Sequence, residues 1–194
     1  MFDPFNDFES VGYLRNYLKE KNLDIVKSLE HMLFVTKQRE ARDYLSTKRR
    51  LDYSDFLHVH NILFSELYPW AGEDRTVTCP NIRVSKGDIQ FAGSDDSVAA
   101  INEGLRLGQI QDKMALLPGV IMGLFSFGHP FLDGNGRVMQ LVHYELCRRA
   151  KFSIYWKKVM KEDYLNMLTE EIKDPRKKVL NDYLLKFKVN DEKG

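Results

Sequence analysis

The sequence has little cysteine and no long apolar run. It contains two cysteines among 194 residues, and a chain of this length folds without covalent staples, so we expect no disulfide framework and a reducing compartment. The first ten residues, MFDPFNDFES, lack the basic start and apolar stretch of a signal peptide, and nowhere do about twenty apolar residues follow one another. We therefore predict a soluble, cytoplasmic protein without a membrane partner.

Neither sign of charge dominates. Lys and Arg total 29 and Asp and Glu total 28, which gives a formal net charge of +1. A chain with so little net charge has no global electrostatic reason to bind nucleic acid or an anionic membrane, and the basic run at 48–50 is short enough to be a solvated loop. Any anion must therefore be bound by a local site. The length is typical of one domain, here residues 1–194.

Apolar residues recur at steps of three and four over most of the chain, which predicts a mainly α protein. Asp24 is a candidate cap for the second helix, and the sequence has no internal repeat or linker. The predicted helices cover 10–46 with a break near 22–23, 52–67, 94–107, 111–127, 135–150, 161–171 and 174–188.

One stretch departs from helical periodicity. Thr76–Phe91, TVTCPNIRVSKGDIQF, is richer in β-branched residues, and apolar and polar residues alternate in it. Ser85–Asp88, SKGD, is a turn sequence. The pattern predicts a short β-hairpin inside the helical protein.

A glycine-rich loop, GHPFLDGNGRVMQ at 128–140, gathers the chemistry of the chain. Gly134 and Gly136 allow positive φ angles, so successive N–H groups can point to one place at the start of the next helix, where the helix dipole also favours an anion. Arg137 lies in that first helical turn, where a cation is disfavoured unless an anion faces it. The loop therefore predicts a phosphate site.

Two further side chains fit phosphate chemistry. Asp133 would repel a bare phosphate, but a carboxylate suits a Mg²⁺ ion shared with nucleotide phosphates. His129 has a pKa near neutrality and could take a proton from an attacking hydroxyl, while Phe131 is expected in the core. Each residue also has an ordinary explanation, as a helix cap or an interhelical turn, and only their combination favours phosphate chemistry.

The loop resembles the signature of the Fic family, H-x-F-x-[D/E]-G-N-G-R-x-x-R, at every specified position from His129 to Arg137. Leu67–Val77, LYPWAGEDRTV, and Ser85–Ala92, SKGDIQFA, are similar to the segments that enter and leave the Fic β-hairpin flap. The resemblance covers about residues 52–150, which would be the core of a single Fic domain with flanking helices at both ends.

The resemblance implies a Fic fold, a helical bundle with a short β-hairpin flap beside the active-site loop. It also implies transfer of AMP from ATP to a Ser, Thr or Tyr hydroxyl of a target protein. By position, His129 would be the general base and Asp133 the Mg²⁺ ligand. The ATP phosphates would be bound by a group of loop residues, Gly134, Asn135, Gly136, Arg137 and Gln140.

The flap of the family aligns an extended segment of the target by adding it as a strand, a mode of recognition that depends on main-chain hydrogen bonds. Ile82 and Lys86 are the candidates for contacts there. Pro80 lacks the N–H needed for a ladder bond, so the hairpin geometry near it is open.

Position 140 departs from the family pattern, because glutamine replaces the second arginine, which in the family grips the γ-phosphate. Residues 137 and 140 share a helix face, so Gln140 should face the anion site without a charge. Two alternatives follow. The chain could use another nucleotide or phosphate donor, or it could be a nucleotide-binding protein that has lost activity.

Restraint of the activity is also open. The inhibitory motif of many Fic proteins, [S/T]-x-x-x-E-[G/N], is absent, since the one candidate, Glu103, has Ala99 four residues before it. Inhibition could come from a separate small antitoxin of a toxin–antitoxin pair, or it could be missing. His58 and His60 lie two apart on a predicted helix and so point in different directions, which favours packing or surface roles over a metal site.

Overall fold

The computed structural model describes residues 2–190, and this part of the chain is mainly helical. None of its helices is long and apolar enough to cross a bilayer. The α-helices are α1 Phe8–Val11, α2 Leu23–Thr47, α3 Tyr53–Phe64, α4 Arg75–Thr78, α5 Ser94–Gly108, α6 Gln111–Leu116, α7 Pro118–Gly128, α8 Asn135–Arg149, α9 Lys161–Lys173 and α10 Val179–Leu185. Short 3₁₀ turns lie at Tyr13–Arg15, Trp156–Lys158 and Pro175–Lys177, and the strands are β1 Ser85–Lys86, β2 Ile89–Gln90, β3 Phe152–Ile154 and β4 Lys188–Asn190.

Helix α7 lies at the centre of the fold. Its sequence, PGVIMGLFSFG, is apolar on almost every side, and it is packed among α5, α8, α9 and α10. A helix that is apolar all round is stable only when its whole circumference is buried. Because α7 ends at Gly128, the buried helix delivers the glycine-rich loop to a fixed place.

Helices α2, α3 and α8 pack together on another side of the core. Helix α3 begins with a capping box in which the Asp52 side chain and the Asp55 side chain each accept a backbone N–H, and it buries Phe56, His60 and Phe64. Phe56 and His60 stack on Phe131 of the loop, which is fully buried, as predicted. The loop is therefore positioned by α7, which leads into it, and by α3, whose side chains stack on Phe131.

Several helix predictions are confirmed and three are wrong. The helices predicted at 52–67, 94–107, 135–150 and 161–171 are present with shifted ends. The predicted continuous helix 111–127 is broken, since Pro118 has no N–H to continue α6 and instead begins α7.

The first predicted helix, from residue 10, is also wrong. Gly12, Leu14 and Arg15 have positive φ angles, which interrupt any helix there. The cap of α2 is Asn22 rather than Asp24, because the Asn22 side chain accepts hydrogen bonds from the amides of Asp24 and Ile25.

The hairpin is shorter than predicted. The segment at its start forms the single helical turn α4, capped by Asp74, and only β1 and β2 pair, with Ser85 opposite Gln90.

At the other end of the chain, the predicted helix 174–188 is a 3₁₀ turn followed by α10, and β4 then pairs with β3. That second strand pair is only three residues long, too short for a sequence period to indicate.

Substitution of Gly119 by Ala tests the packing around α7. A Cβ at this position would overlap the backbone of Leu180 and Asn181, which cannot move as a flexible side chain can. We expect Gly119→Ala to lower the free energy of unfolding by about 1–3 kcal/mol, the usual cost of overpacking, in urea titrations. Gly93→Ala is the control, since its Cβ would meet only one atom, at 3.9 Å. Equal effects of both substitutions would contradict the packing argument.

Candidate active site

The glycine-rich loop runs from the end of α7 to the start of α8. His129 is in the left-handed region (φ 45°, ψ 56°) and caps α7, and Gly134, with φ 79°, precedes α8. At Gly134 a side chain is excluded, because a Cβ would lie 2.5 Å from the Phe64 ring. The loop forms one wall of a cleft of about 770 Å³ whose opposite side includes the flap residues Ser85 and Lys86.

Asn135 braces this loop with its side chain. Its Oδ1 accepts a hydrogen bond from the Phe131 amide at 2.9 Å, and its Nδ2 donates to the Phe131 carbonyl at 2.8 Å. Among residues 2–190, no group accepts a hydrogen bond from the amides of Asn135 or Gly136, whereas the Arg137 amide bonds to the Gly134 carbonyl. Two amides without an acceptor at the positive end of a helix have the geometry that suits an anion.

The Asp133 carboxylate is held by donors from three directions. The Lys27 ammonium and the Tyr13 hydroxyl both donate to Oδ2, the latter at 3.2 Å, and the Gly134 amide donates to Oδ1 at 2.7 Å. Burial by itself would raise the pKa of Asp133, but these donors outweigh it, with Lys27 foremost, and the pKa lies below its usual value. Asp133 is therefore an anion at neutral pH.

Arg137 is paired with a glutamate that the sequence patterns did not single out. Glu30 on α2 is fully buried and accepts hydrogen bonds from Arg137 Nη2 at 2.5 Å and from the Tyr68 hydroxyl at 2.6 Å. Lys27 Nζ lies 3.1 Å from Glu30 Oε2. The two cations, Lys27 and Arg137, thus balance the two carboxylates, Glu30 and Asp133, along the inner wall of the site.

His129 lies in the cleft, with its ring stacked on Phe91 at a centroid separation of 3.9 Å. Burial lowers the pKa of His129 to about 3, and the positive charge of Arg75 is the next cause. The imidazole is therefore neutral at physiological pH and able to accept a proton.

Arg75 is a fully buried cation that joins the loop to the base of the flap. Its guanidinium donates to the carbonyls of His129 at 2.8 Å, Ala92 at 2.7 Å and Gly128 at 3.3 Å. Its backbone amide donates to the Pro130 carbonyl at 2.8 Å. The carbonyls at the end of α7 carry the negative end of the helix dipole, so they compensate the buried charge. In the sequence, Arg75 belongs to the LYPWAGEDRTV segment, and no sequence pattern indicates this role.

His60 supports the loop through both of its ring nitrogens. Its Nδ1 accepts a hydrogen bond from the Gly72 amide at 2.9 Å, which leaves Nε2 to donate to the Asp133 carbonyl at 3.1 Å. Burial lowers the pKa of His60 to about 3, so the ring is neutral. Within residues 2–190 no three His, Cys, Asp or Glu side chains are grouped to hold a metal ion.

The remaining predicted residues are only partly brought together. Gln140 and Lys86 line the cleft, as does Lys161 of α9, which the sequence patterns did not indicate. Ile82 lies before the strand pair and packs against the hydrophobic core, with its carbonyl 3.5 Å from Arg75 Nη1.

A profile of the Fic/DOC family matches residues 50–147, and the chain belongs to this family. It is 29% identical over 171 residues to the protein adenylyltransferase VbhT of Bartonella schoenbuchensis, covering 83% of this chain and 34% of VbhT. It is also 24% identical over 170 residues to the probable protein adenylyltransferase y4lH of Sinorhizobium fredii, covering 83% of this chain and 84% of y4lH. The chain thus spans about a third of the length of VbhT.

Solved structures show the same fold. The BepC effector of Bartonella tribocorum, crystallised with bound AMPPNP, has a TM-score of 0.76 at 16% identity over 95% of this chain and 96% of that chain. An N-terminal Fic domain of a Bep effector from Bartonella quintana, with bound ADP, has a TM-score of 0.74 at 16% identity, over 95% and 94% of the two chains. The predicted helical Fic fold is confirmed.

Removal of the Arg75 charge should raise the pKa of His129. In Arg75→Gln the neighbouring cation that disfavours the imidazolium is lost, and we expect an NMR titration of labelled His129 to show a higher pKa than in the wild-type chain. The free energy of unfolding should fall by about 3 kcal/mol because several buried carbonyls lose their donor.

Arg75→Lys keeps the charge with fewer hydrogen bonds, so the pKa of His129 should stay low although stability falls. Arg106→Gln, at an exposed arginine paired with Glu103, is the matched control. If His129 titrates identically in Arg75→Gln and the wild-type chain, Arg75 does not set its protonation.

Stability should fall on acidification because the buried histidines are neutral. His60 has a pKa of about 3 in the folded state against about 6.5 when unfolded, so below pH 6.5 the unfolded chain binds the proton first. At pH 5 this costs up to about 2 kcal/mol for His60.

We expect urea titrations at pH 7 and pH 5 to show a smaller pH effect in His60→Gln than in the wild-type chain. His58→Gln, at an exposed histidine of the same helix, should retain the full effect. An unchanged pH effect in His60→Gln would contradict the burial of a neutral imidazole.

Proposed function

We propose that this chain is a protein adenylyltransferase, which transfers AMP from ATP to a Ser, Thr or Tyr hydroxyl of a target protein. The observation that carries the proposal is the pair of unsatisfied amides at the start of α8, which line the same cleft as the neutral His129. The name protein adenylyltransferase of VbhT and y4lH supports the activity. The AMPPNP in BepC supports a nucleotide as the donor.

In the proposed reaction, His129 accepts the proton of the target hydroxyl as that oxygen attacks the α-phosphorus. The bond from the α-phosphorus to the bridging oxygen then breaks, and pyrophosphate leaves. The amides of Asn135 and Gly136 bind phosphate oxygens, and Arg137 neutralises their charge from the side. The chain thus contributes positioning and electrostatic stabilisation, with one proton transfer.

A Mg²⁺ ion fits Asp133. The carboxylate is ionised, lines the cleft and is a hard oxygen ligand, and Mg²⁺ commonly uses one or two carboxylates together with nucleotide phosphates. When bound there, the ion would neutralise phosphate charge. It would share Asp133 with the Lys27 ammonium, which is the present counter-ion of the carboxylate.

The flap would dock the target. β1 and β2 form a pair of two residues each, so the edge of this pair can add an extended segment of the target as a strand, with Lys86 beside the cleft and Ile82 at the base of the flap. Main-chain recognition of this kind selects weakly by sequence. We propose that residues 1–194 act as a single Fic domain in the cytoplasm, as the toxin of a toxin–antitoxin pair restrained by a separate small antitoxin.

Gln140 favours a second candidate function. It lines the cleft without a charge, so the same Fic fold could transfer a different phosphate-containing group from another donor. The position of the label separates the two functions, since AMP transfer retains an α-phosphate label and loses a γ-phosphate label.

Labelling of target proteins tests the proposed function. Incubated with a bacterial lysate, Mg²⁺ and ATP labelled at the α-phosphate, the chain should label protein, and ATP labelled at the γ-phosphate should give no label. The His129→Ala variant should transfer the label about a hundredfold more slowly or worse than the wild-type chain, since it lacks the general base. His58→Ala, altered at an exposed site, should retain it. Absence of α-label transfer, or transfer unaffected by His129→Ala, would overturn the proposal.

A further inference from the structure

Beneath the glycine-rich loop, two cations face two carboxylates, so this wall of the cleft carries no net positive charge among residues 2–190. Lys27 contacts both Asp133 and Glu30, and Arg137 contacts Glu30. Each of these cations is thus paired with a carboxylate, although Arg137 Nη1 is buried without a hydrogen-bond partner among residues 2–190 and can still reach a phosphate. A nucleotide with several phosphates must find further cations elsewhere, because its charge would otherwise face a neutral wall.

Two lysines that line the cleft have no partner among the described residues. None of the ion pairs or hydrogen bonds among residues 2–190 involves the ammonium of Lys86 or of Lys161. Lys86 belongs to the flap, across the cleft from the loop, whereas Lys161 lines the same cleft as Gln140 and Arg137.

The position of Lys161 in its helix also calls for an anion. Lys161 is the first residue of α9, a helix of 13 residues, and no side chain caps this end of the helix. The helix dipole disfavours a cation there unless an anion lies in front of it. Glu162 and Asp163 follow in the first turn but form no ion pair with Lys161 in the described part of the chain.

We propose that Lys161 is the second phosphate-binding cation of this site and contacts the terminal phosphates of the donor in place of the arginine that position 140 lacks. The inference rests on the proposed function for the identity of the donor as a nucleotide with more than one phosphate. It assigns the specificity for the terminal phosphates to the start of α9 rather than to α8.

Equilibrium binding of ATP and AMP tests this assignment separately from catalysis. In isothermal titration calorimetry at fixed Mg²⁺ and salt, Lys161→Met should bind ATP about five- to tenfold more weakly than the wild-type chain, the range expected for loss of one charge-assisted contact. Its affinity for AMP, which lacks the terminal phosphates, should change less than about twofold. Lys161→Arg should bind ATP like the wild-type chain.

Two further variants complete the experiment. Lys157→Met removes an exposed lysine that does not line the cleft and should leave both affinities unchanged. Gln140→Arg introduced into Lys161→Met should restore the affinity for ATP, because it returns a cation to the family position. Thermal unfolding of every variant serves as the folding control.

The result that overturns the inference is a Lys161→Met variant whose preference for ATP over AMP equals that of the wild-type chain. A wild-type chain that binds ATP no more tightly than AMP would also overturn it. If no target protein is labelled and yet Lys161→Met loses affinity for ATP selectively, the proposed transfer activity fails and the assignment of Lys161 stands.

Discussion

The site depends on one buried cation, the guanidinium of Arg75. It lies at the meeting point of the α7 terminus and the flap base, and it donates to carbonyls of His129, Gly128 and Ala92. A buried charge is tolerated only where its donors are satisfied and compensated, so the loop and the flap base cannot separate without exposing an unpaired cation. Burial lowers the pKa of His129 most, and the Arg75 charge lowers it further, so the residue that fixes the place of the candidate base also contributes to its neutral state.

A second principle of the site is the separation of paired from unpaired charge. Lys27, Glu30, Asp133 and Arg137 form a balanced network under the loop, which orients Asp133 and Arg137 without attracting an anion strongly. Attraction is left to the amides at the start of α8 and to the lysines around the cleft. Under the proposed function, this division is how a Fic domain that lacks the second arginine would still bind an anionic donor.

The sequence predicts the parts of the site whose residues are close together in the chain. It does not predict contacts between residues that are far apart in the chain. Residues 129–137 are adjacent in the chain, so their spacing alone indicates a phosphate loop. Glu30 is 107 residues from Arg137, and no period or motif links the two. In the fold, long amphipathic helices were predictable. The segment from residue 10 was not, because Leu14 and Arg15 have positive φ angles that neither residue type favours.

The central claim is that the start of α8 is the phosphate site. Amide chemical shifts in a ¹⁵N-labelled sample, recorded with and without AMPPNP and Mg²⁺, measure this most directly. We expect the amides of Asn135 and Gly136 to shift most, since they have no acceptor among residues 2–190. Saturable binding in which these two amides do not shift, while amides elsewhere do, would contradict it.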